Sequence, residues 1–215
     1  MIHLLALTVL GLTSQATICI DPGHPSEIGR GTKGRHISEI HANWLVGQEL
    51  GALLKEKGYN VVFTKTSENQ YVTNPKRAEI ANKAKADLMI RLHCDHDANS
   101  RGIATYFADK KGTINGVSGP SDVVLKRVKP MAAAFHKSLI KNLNGMLRDR
   151  GLKTDRQTKV GAKYGALIGS IHSECPSILV EMCVLSNVED EKVISSKAGR
   201  EKLVIAICGA IKVAL

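Results

Sequence analysis

Aromatic residues make up only 4% of this 215-residue sequence. Proteins that grip single-stranded nucleic acid rely on aromatic stacking platforms, so no nucleic-acid partner is expected. No apolar run reaches the roughly 18 residues of a membrane-spanning helix, which excludes a multispan protein and leaves no transmembrane segment to expect. The five cysteines include no C-x-x-C pair, so zinc-ribbon and thioredoxin readings have no footing. Five is odd, so at least one thiol is unpaired within the chain, and most are expected as small core residues. Repeats of 20–50 residues and low-complexity linkers are also missing. What is present is ordinary for one globular domain: 43% apolar and 23% charged residues in a length that suits a single core.

Charge is the compositional exception. Lys and Arg number 30 against 20 Asp and Glu, a net charge of +10. A basic surface attracts polyanions such as nucleic acid, anionic lipid or anionic wall polymers. The densest spots, Lys126-Arg127-Val128-Lys129 and Lys110-Lys111, are too short for a nucleic-acid arm. At the amino terminus, residues 4–12 form a mostly apolar stretch followed by the small-x-small triplet Ser14-Gln15-Ala16. This pattern reads as a signal peptide over residues 1–16, with export and a mature domain over residues 17–215. The alternative is a buried first strand around Thr8-Val9-Leu10.

Strands and helices alternate along the rest of the chain. Thr17-Ile18-Cys19-Ile20 is a short apolar run ending in Asp-Pro-Gly, as a buried parallel strand does. A helix over residues 37–57 follows, capped by Ser38 and closed by Gly58. Further strands are expected over residues 60–64, 87–93, 102–107 and 177–181. Further helices are expected over residues 75–86, 123–147 (with Pro130 as a kink site) and 199–214. The segment 109–121 reads as a Gly- and Ser-rich loop. The pattern gives an α/β fold: three α-β-α layers, with a mostly parallel twisted sheet covered by helices on both faces.

Polar residues at the strand ends carry the functional signal, because open α/β sheets bind ligands beyond the carboxyl ends of their strands. The first strand ends at Asp21-Pro22-Gly23-His24, the third at His93 and the last at Glu181, while Glu39 opens the first helix. Two imidazoles and a carboxylate with an open position are a catalytic zinc set, and a second carboxylate can serve as general base. Each residue alone has a blander reading: a loop or core histidine, or a first-turn acid on the helix dipole. Glu181 is the hardest to dismiss, since a carboxylate after Ile178-Leu179-Val180 is costly to bury unpartnered.

Five blocks in order carry a resemblance. They are Ile20-Asp21-Pro22-Gly23-His24; Glu39; Leu53 through Gly58-Tyr59-Asn60-Val61-Val62 to Thr64; Arg77 and Ala81-Asn82 with Ala86-Asp87-Leu88 and Leu92-His93; and Pro176, Leu179-Val180-Glu181, Leu185-Ser186-Asn187 and Asp190. From Ile18 to the C-terminus the chain resembles the zinc-dependent N-acetylmuramoyl-L-alanine amidases of the type-3 family. The resemblance implies one Zn²⁺ per chain held by His24, Glu39 and His93, with Glu181 as catalytic acid/base. It implies hydrolysis of the amide between the lactoyl group of N-acetylmuramic acid and L-alanine, hence peptidoglycan as partner and a periplasmic or wall location. No protein partner is evident, and no substrate-binding residue is assigned.

Three positions depart from the family pattern. Lys65 replaces an arginine, Arg91 replaces a small residue two before His93, and Cys183-Val184 replaces Gly-Phe. Alternation puts Arg91 on the face of His93, there to meet a carboxylate or the rim; it puts Cys183 on the face of Glu181 and turns Cys94 away. Asp21 is expected to brace a ligand, and His172 to touch substrate. His36, His41 and His96 are expected to stay off the metal. The segment 109–121 is too short for the inserted helix that plugs some family members. Anionic wall polymers are a further expected partner of the basic surface. Two rivals stay open: a zinc carboxypeptidase using His24 and Glu27 with His136 or His172, and a wall-binding homologue without turnover.

Overall fold

The computed structural model describes residues 15–215, so most of the expected leader lies outside the described residues. Six strands form one sheet: β1 (Thr17–Pro22), β2 (Asn60–Phe63), β3 (Leu88–Asp95), β4 (Ile103–Phe107), β7 (Asp149–Thr154) and β8 (Ser177–Val184). Between β4 and β7 in sequence, β5 (Gly112–Ile114) and β6 (Val117–Gly119) form a separate hairpin. The sheet order is β2-β1-β3-β8-β4-β7. The first four strands in that order run parallel, whereas β4 and β7 run parallel to each other and antiparallel to β8. The mostly parallel, doubly covered α/β sheet expected from the sequence is the architecture observed.

Alternation along the central strands divides the apolar residues between two layers. Ile18, Ile20, Ile90, Leu92, Ile178 and Val180 face the large core. They pack there against Leu50 and Leu54 of α1 (Glu39–Glu56), Phe135 and Leu139 of α3 (Asp122–Leu143), and Ile207 and Ile211 of α7 (Lys197–Ala214). The opposite face carries Cys19 and Met89 against Ala81 of α2 (Asn74–Lys83) and Cys175. Shorter helices α4 (Lys159–Tyr164) and α5 (Ile168–Ile171) also lie on that side, and α6 (Val188–Ser195) follows β8. Among the described residues no helix is long and apolar enough to cross a membrane.

The helix signals work as read. Ser38 accepts the amide of His41 at the start of α1, Thr73 accepts that of Lys76 before α2, and Gly58 adopts φ 87° after α1 ends. Two expectations change. The segment 109–121 contains the β5–β6 hairpin instead of a plain loop, and α3 runs through Pro130 unbroken, with that residue on its exposed side.

Phe135 is fully buried beneath the sheet, where its loss leaves a cavity. Phe135→Ala is expected to lower unfolding stability by about 3–5 kcal/mol. A urea titration that finds under about 1 kcal/mol would place Phe135 outside the core.

Candidate metal centre and catalytic residues

The carboxyl ends of β1, β3 and β8 converge because these strands are parallel neighbours in the sheet. Their loops therefore leave the sheet on one edge, where the first turn of α1 also begins. His24, two residues beyond β1, adopts φ 57°, an uncommon backbone state for a residue with a Cβ. Side chains hold the loop in that shape. Lys65 Nζ donates to the His24 carbonyl at 2.7 Å, and Asn43 Nδ2 donates to the Gly23 carbonyl at 3.3 Å. His24 Nδ1 lies 3.0 Å from the Gly29 carbonyl, so Nδ1 carries the proton and Nε2 is left as an acceptor.

Glu39 joins the two histidines. Its Oε1 is 3.4 Å from His24 Nε2 and 3.1 Å from His93 Nδ1, and it accepts the Cys94 amide at 3.1 Å; Oε2 accepts the Thr32 amide at 2.8 Å. The loop before Glu39 is anchored from α6, where Glu191 accepts the amides of His36 and Ile37. One donor atom from each of His24, Glu39 and His93 lies within 4.8 Å of the others, a spacing that can hold a metal ion. His93 Nε2 is buried with no hydrogen-bond partner among the described residues. Burial pushes the His93 imidazole down to about 4 despite the pull of Glu39, so the ring is a neutral donor at pH 7. The donor set of two imidazoles and a carboxylate is one that suits zinc. Gly23 makes room for it, since a Cβ there would come within 2.3 Å of the His93 ring.

Glu181 sits directly opposite His93 on the neighbouring strand. Its Oε2 has no hydrogen-bond partner among the described residues. Burial, then the charges of Glu39 and Asp95, push its carboxyl well above the ordinary carboxylate range. A cavity of about 170 Å³ brings Glu181, His24 and His93 together with Arg77, Arg91 and Asn74, under an apolar wall that includes Leu167 and Leu179.

Beneath the histidines lies a buried ionic cluster. Asp21, with no exposed surface, receives Arg77 Nη1 at 2.6 Å and Thr64 Oγ1 at 2.5 Å on Oδ1, and Arg91 Nε at 2.9 Å on Oδ2. Burial alone would raise the Asp21 carboxyl; the two guanidiniums overcome it and hold the group well below the usual carboxylate range. Arg77 passes the restraint on, donating to the carbonyls of Pro22 at 2.8 Å and Pro25 at 3.1 Å. Asp21 therefore braces His24 through the backbone on both sides of it. Arg91, one of the departures from the family pattern, completes this cluster and also donates to Asn74.

Several expectations need correction. Cys183 does not share the face of Glu181. Between the pairs His93↔Glu181 and Asp95↔Val184, β3 advances two residues and β8 three. This bulge reverses the alternation, so Met182 and Cys183 both enter the large core. There the Cys183 sulfur lies 3.7 Å from that of Cys94, away from the histidines. His172 lies outside the cavity and lines a separate groove with residues of α2. Glu27 takes the backbone and side-chain amides of Asn74, so His24 and Glu27 do not form a ligand pair. His136 bonds Thr105 and Asp149, so it is no third ligand, whereas His41 pairs with Glu68 and stays off the metal set as expected. Asn74 and Lys65 join the site without a ligand role; the sequence signals them only by an Asn-Pro step that opens a helix and by a lysine directly after Thr64.

Comparison with known proteins supports the same reading. The family model described as N-acetylmuramoyl-L-alanine amidase matches residues 18–213. The protein YqiI of Bacillus subtilis is 26% identical over 91% of this chain and 82% of its own length. The N-acetylmuramoyl-L-alanine amidase AmiA of Salmonella typhimurium is 23% identical over 92% of this chain and 75% of its own. Among solved structures, the amidase AmiC2 of Nostoc punctiforme superposes with a TM-score of 0.70 at 21% identity, covering 92% of this chain and 95% of that one, which shows the shared fold.

Asp21→Asn removes the carboxylate that two buried guanidiniums share and is expected to cost about 3–5 kcal/mol at pH 7. The Asp21 pKa is depressed in the fold, so its contribution is present above about pH 4 and fades as pH falls through the folded value. Urea unfolding of wild type and variant should therefore converge in strong acid; a gap of equal size at pH 7 and in strong acid would contradict the charge-pairing account.

Proposed function

The chain belongs to the N-acetylmuramoyl-L-alanine amidase family, and from that membership and the geometry of the strand ends we propose that it is a zinc-dependent hydrolase of peptidoglycan. The reaction is cleavage of the amide between the lactoyl group of N-acetylmuramic acid and the L-alanine of the stem peptide. The observation that carries the reading is one unpartnered carboxylate, Glu181, placed opposite His93 and beside a three-donor metal set.

His24, Glu39 and His93 would hold one zinc ion per chain. Zinc, when bound, supplies a Lewis acid that polarises the scissile carbonyl and lowers the pKa of water from 15.7 toward about 7. Glu181 Oε2 takes the proton of the attacking water as the new carbon–oxygen bond forms, then delivers it to the L-alanine nitrogen as the carbon–nitrogen bond breaks. A raised carboxyl suits the second half of that transfer, because the group holds its proton until the nitrogen accepts it. Lys65, Arg77 and Asn43 fix the loop that presents His24 and do not touch the reacting atoms.

Export through a leader over residues 1–16 is part of this proposal, as is a periplasmic or wall location. The net charge of +10 supports retention on anionic wall polymers.

Purified protein incubated with sacculi is expected to release stem peptides that begin with L-alanine. A zinc chelator should abolish release. Glu181→Gln should lower turnover by about 10²–10⁴-fold while the protein still holds zinc. Peptides trimmed only at their C-termini would establish a carboxypeptidase instead. Wall binding by zinc-loaded protein without any release would establish a non-catalytic homologue.

A further inference from the structure

Arg91 stands where the family pattern has a small residue, and its hydrogen bonds leave part of it unexplained. Its Nε is committed to Asp21 and its Nη2 to Asn74, but Nη1 makes no hydrogen bond among the described residues. The side chain lines the same cavity as His93 and Glu181. Space has been made for it: a Cβ on Gly169 would lie 2.7 Å from Nη1 and 2.8 Å from Cζ and would push this guanidinium from its present place.

Arg77 and Arg91 both bond Asp21, and Lys65, buried beside them, donates to the carbonyls of His24 and Glu68. Glu27 lies nearby but is bound to Asn74. The buried carboxyls of Asp155 and Glu181 also feel the Arg91 charge, yet neither bonds Nη1, which leaves that donor to an anion in the cavity.

Distance says which anion. Arg91 is two residues before His93 on the same face of β3, about 6.6 Å along the strand. Two extended peptide residues span roughly 7 Å. With the scissile amide at His93 and Glu181, a group near Arg91 therefore belongs to the second residue of the stem peptide. In peptidoglycan that residue is a glutamate linked through its side chain, whose α-carboxyl is either free or amidated.

We propose that Arg91 is a specificity-determining residue that binds a free α-carboxylate on the second residue of the stem peptide. The proposal rests on the amidase reading. A charge-assisted hydrogen bond in a partly enclosed cavity discriminates carboxylate from carboxamide by about tenfold to a hundredfold.

The test uses zinc-loaded protein and two synthetic muramoyl peptides, identical except for a free or amidated α-carboxyl at the second residue. Wild type is expected to favour the free acid by at least about tenfold in kcat/KM, mainly through KM. Arg91→Ser should bring the ratio near one, and Arg91→Lys should retain part of it. Calorimetry with the two released peptides, which needs no turnover, should show the same preference in wild type and so covers a variant that fails to fold. Equal wild-type rates and affinities for acid and amide would overturn the proposal. So would an equal loss on both substrates in Arg91→Ser, which would confine Arg91 to neutralising Asp21. Failure of the amidase reading itself would appear separately, as wild type cleaving neither substrate.

Discussion

A carboxylate shut away from water stays ionised only where cations replace its hydration, and Asp21 has two of them. Much of the site geometry follows from that requirement. Arg77 can reach Asp21 only from α2, and its remaining donors then fall on the carbonyls around His24. Thr64 comes from the end of β2, and Arg91 from β3. One buried charge thus ties three parallel strands and one helix to a single loop, and the loop carries the first histidine in a backbone state it would not otherwise favour.

The division of labour between the two faces of the sheet is equally physical. Helices α1, α3 and α7 bury the apolar face and supply stability. The other face is covered by shorter helices and keeps a cavity over β3 and β8. Asp21 of β1, Arg91 and His93 of β3, and Glu181 of β8 all point to that side. The β8 bulge then turns Cys183 into the apolar layer, away from the histidines, and burial there pushes the neighbouring Cys94 thiol far above its ordinary range and leaves that sulfur a poor metal ligand.

The four proposed site residues were legible in the sequence because each sits at a boundary that sequence marks well: the end of an apolar run or the first turn after a cap. The central strands were legible for the same reason. β7 was not, because Asp149-Arg150-Gly151-Leu152-Lys153-Thr154 has no apolar run and pairs with β4 alone at the sheet edge. Helices α4 and α5 are only 6 and 4 residues long, too short for a periodic stripe. α6 reads as a polar segment, yet its Asp190 and Glu191 are buried, taking backbone amides of Gly102, Val184, His36 and Ile37. The face of Cys183 was misjudged because a bulge adds a residue without a sequence signature that alternation can register. The roles of Lys65 and Asn74 depend on contacts across tens of residues, which the Asn-Pro step and the position after Thr64 mark but do not specify.

The central claim is that one zinc ion is held by two imidazoles and one carboxylate, with the sulfurs excluded. X-ray absorption at the zinc edge of the purified protein tests it directly. The account predicts nitrogen and oxygen scatterers near 2.0–2.1 Å, the multiple scattering of two imidazoles, and one zinc per chain. A sulfur scatterer near 2.3 Å would contradict it, because Cys94 or Cys183 would then have to leave the apolar layer in which the structure buries them.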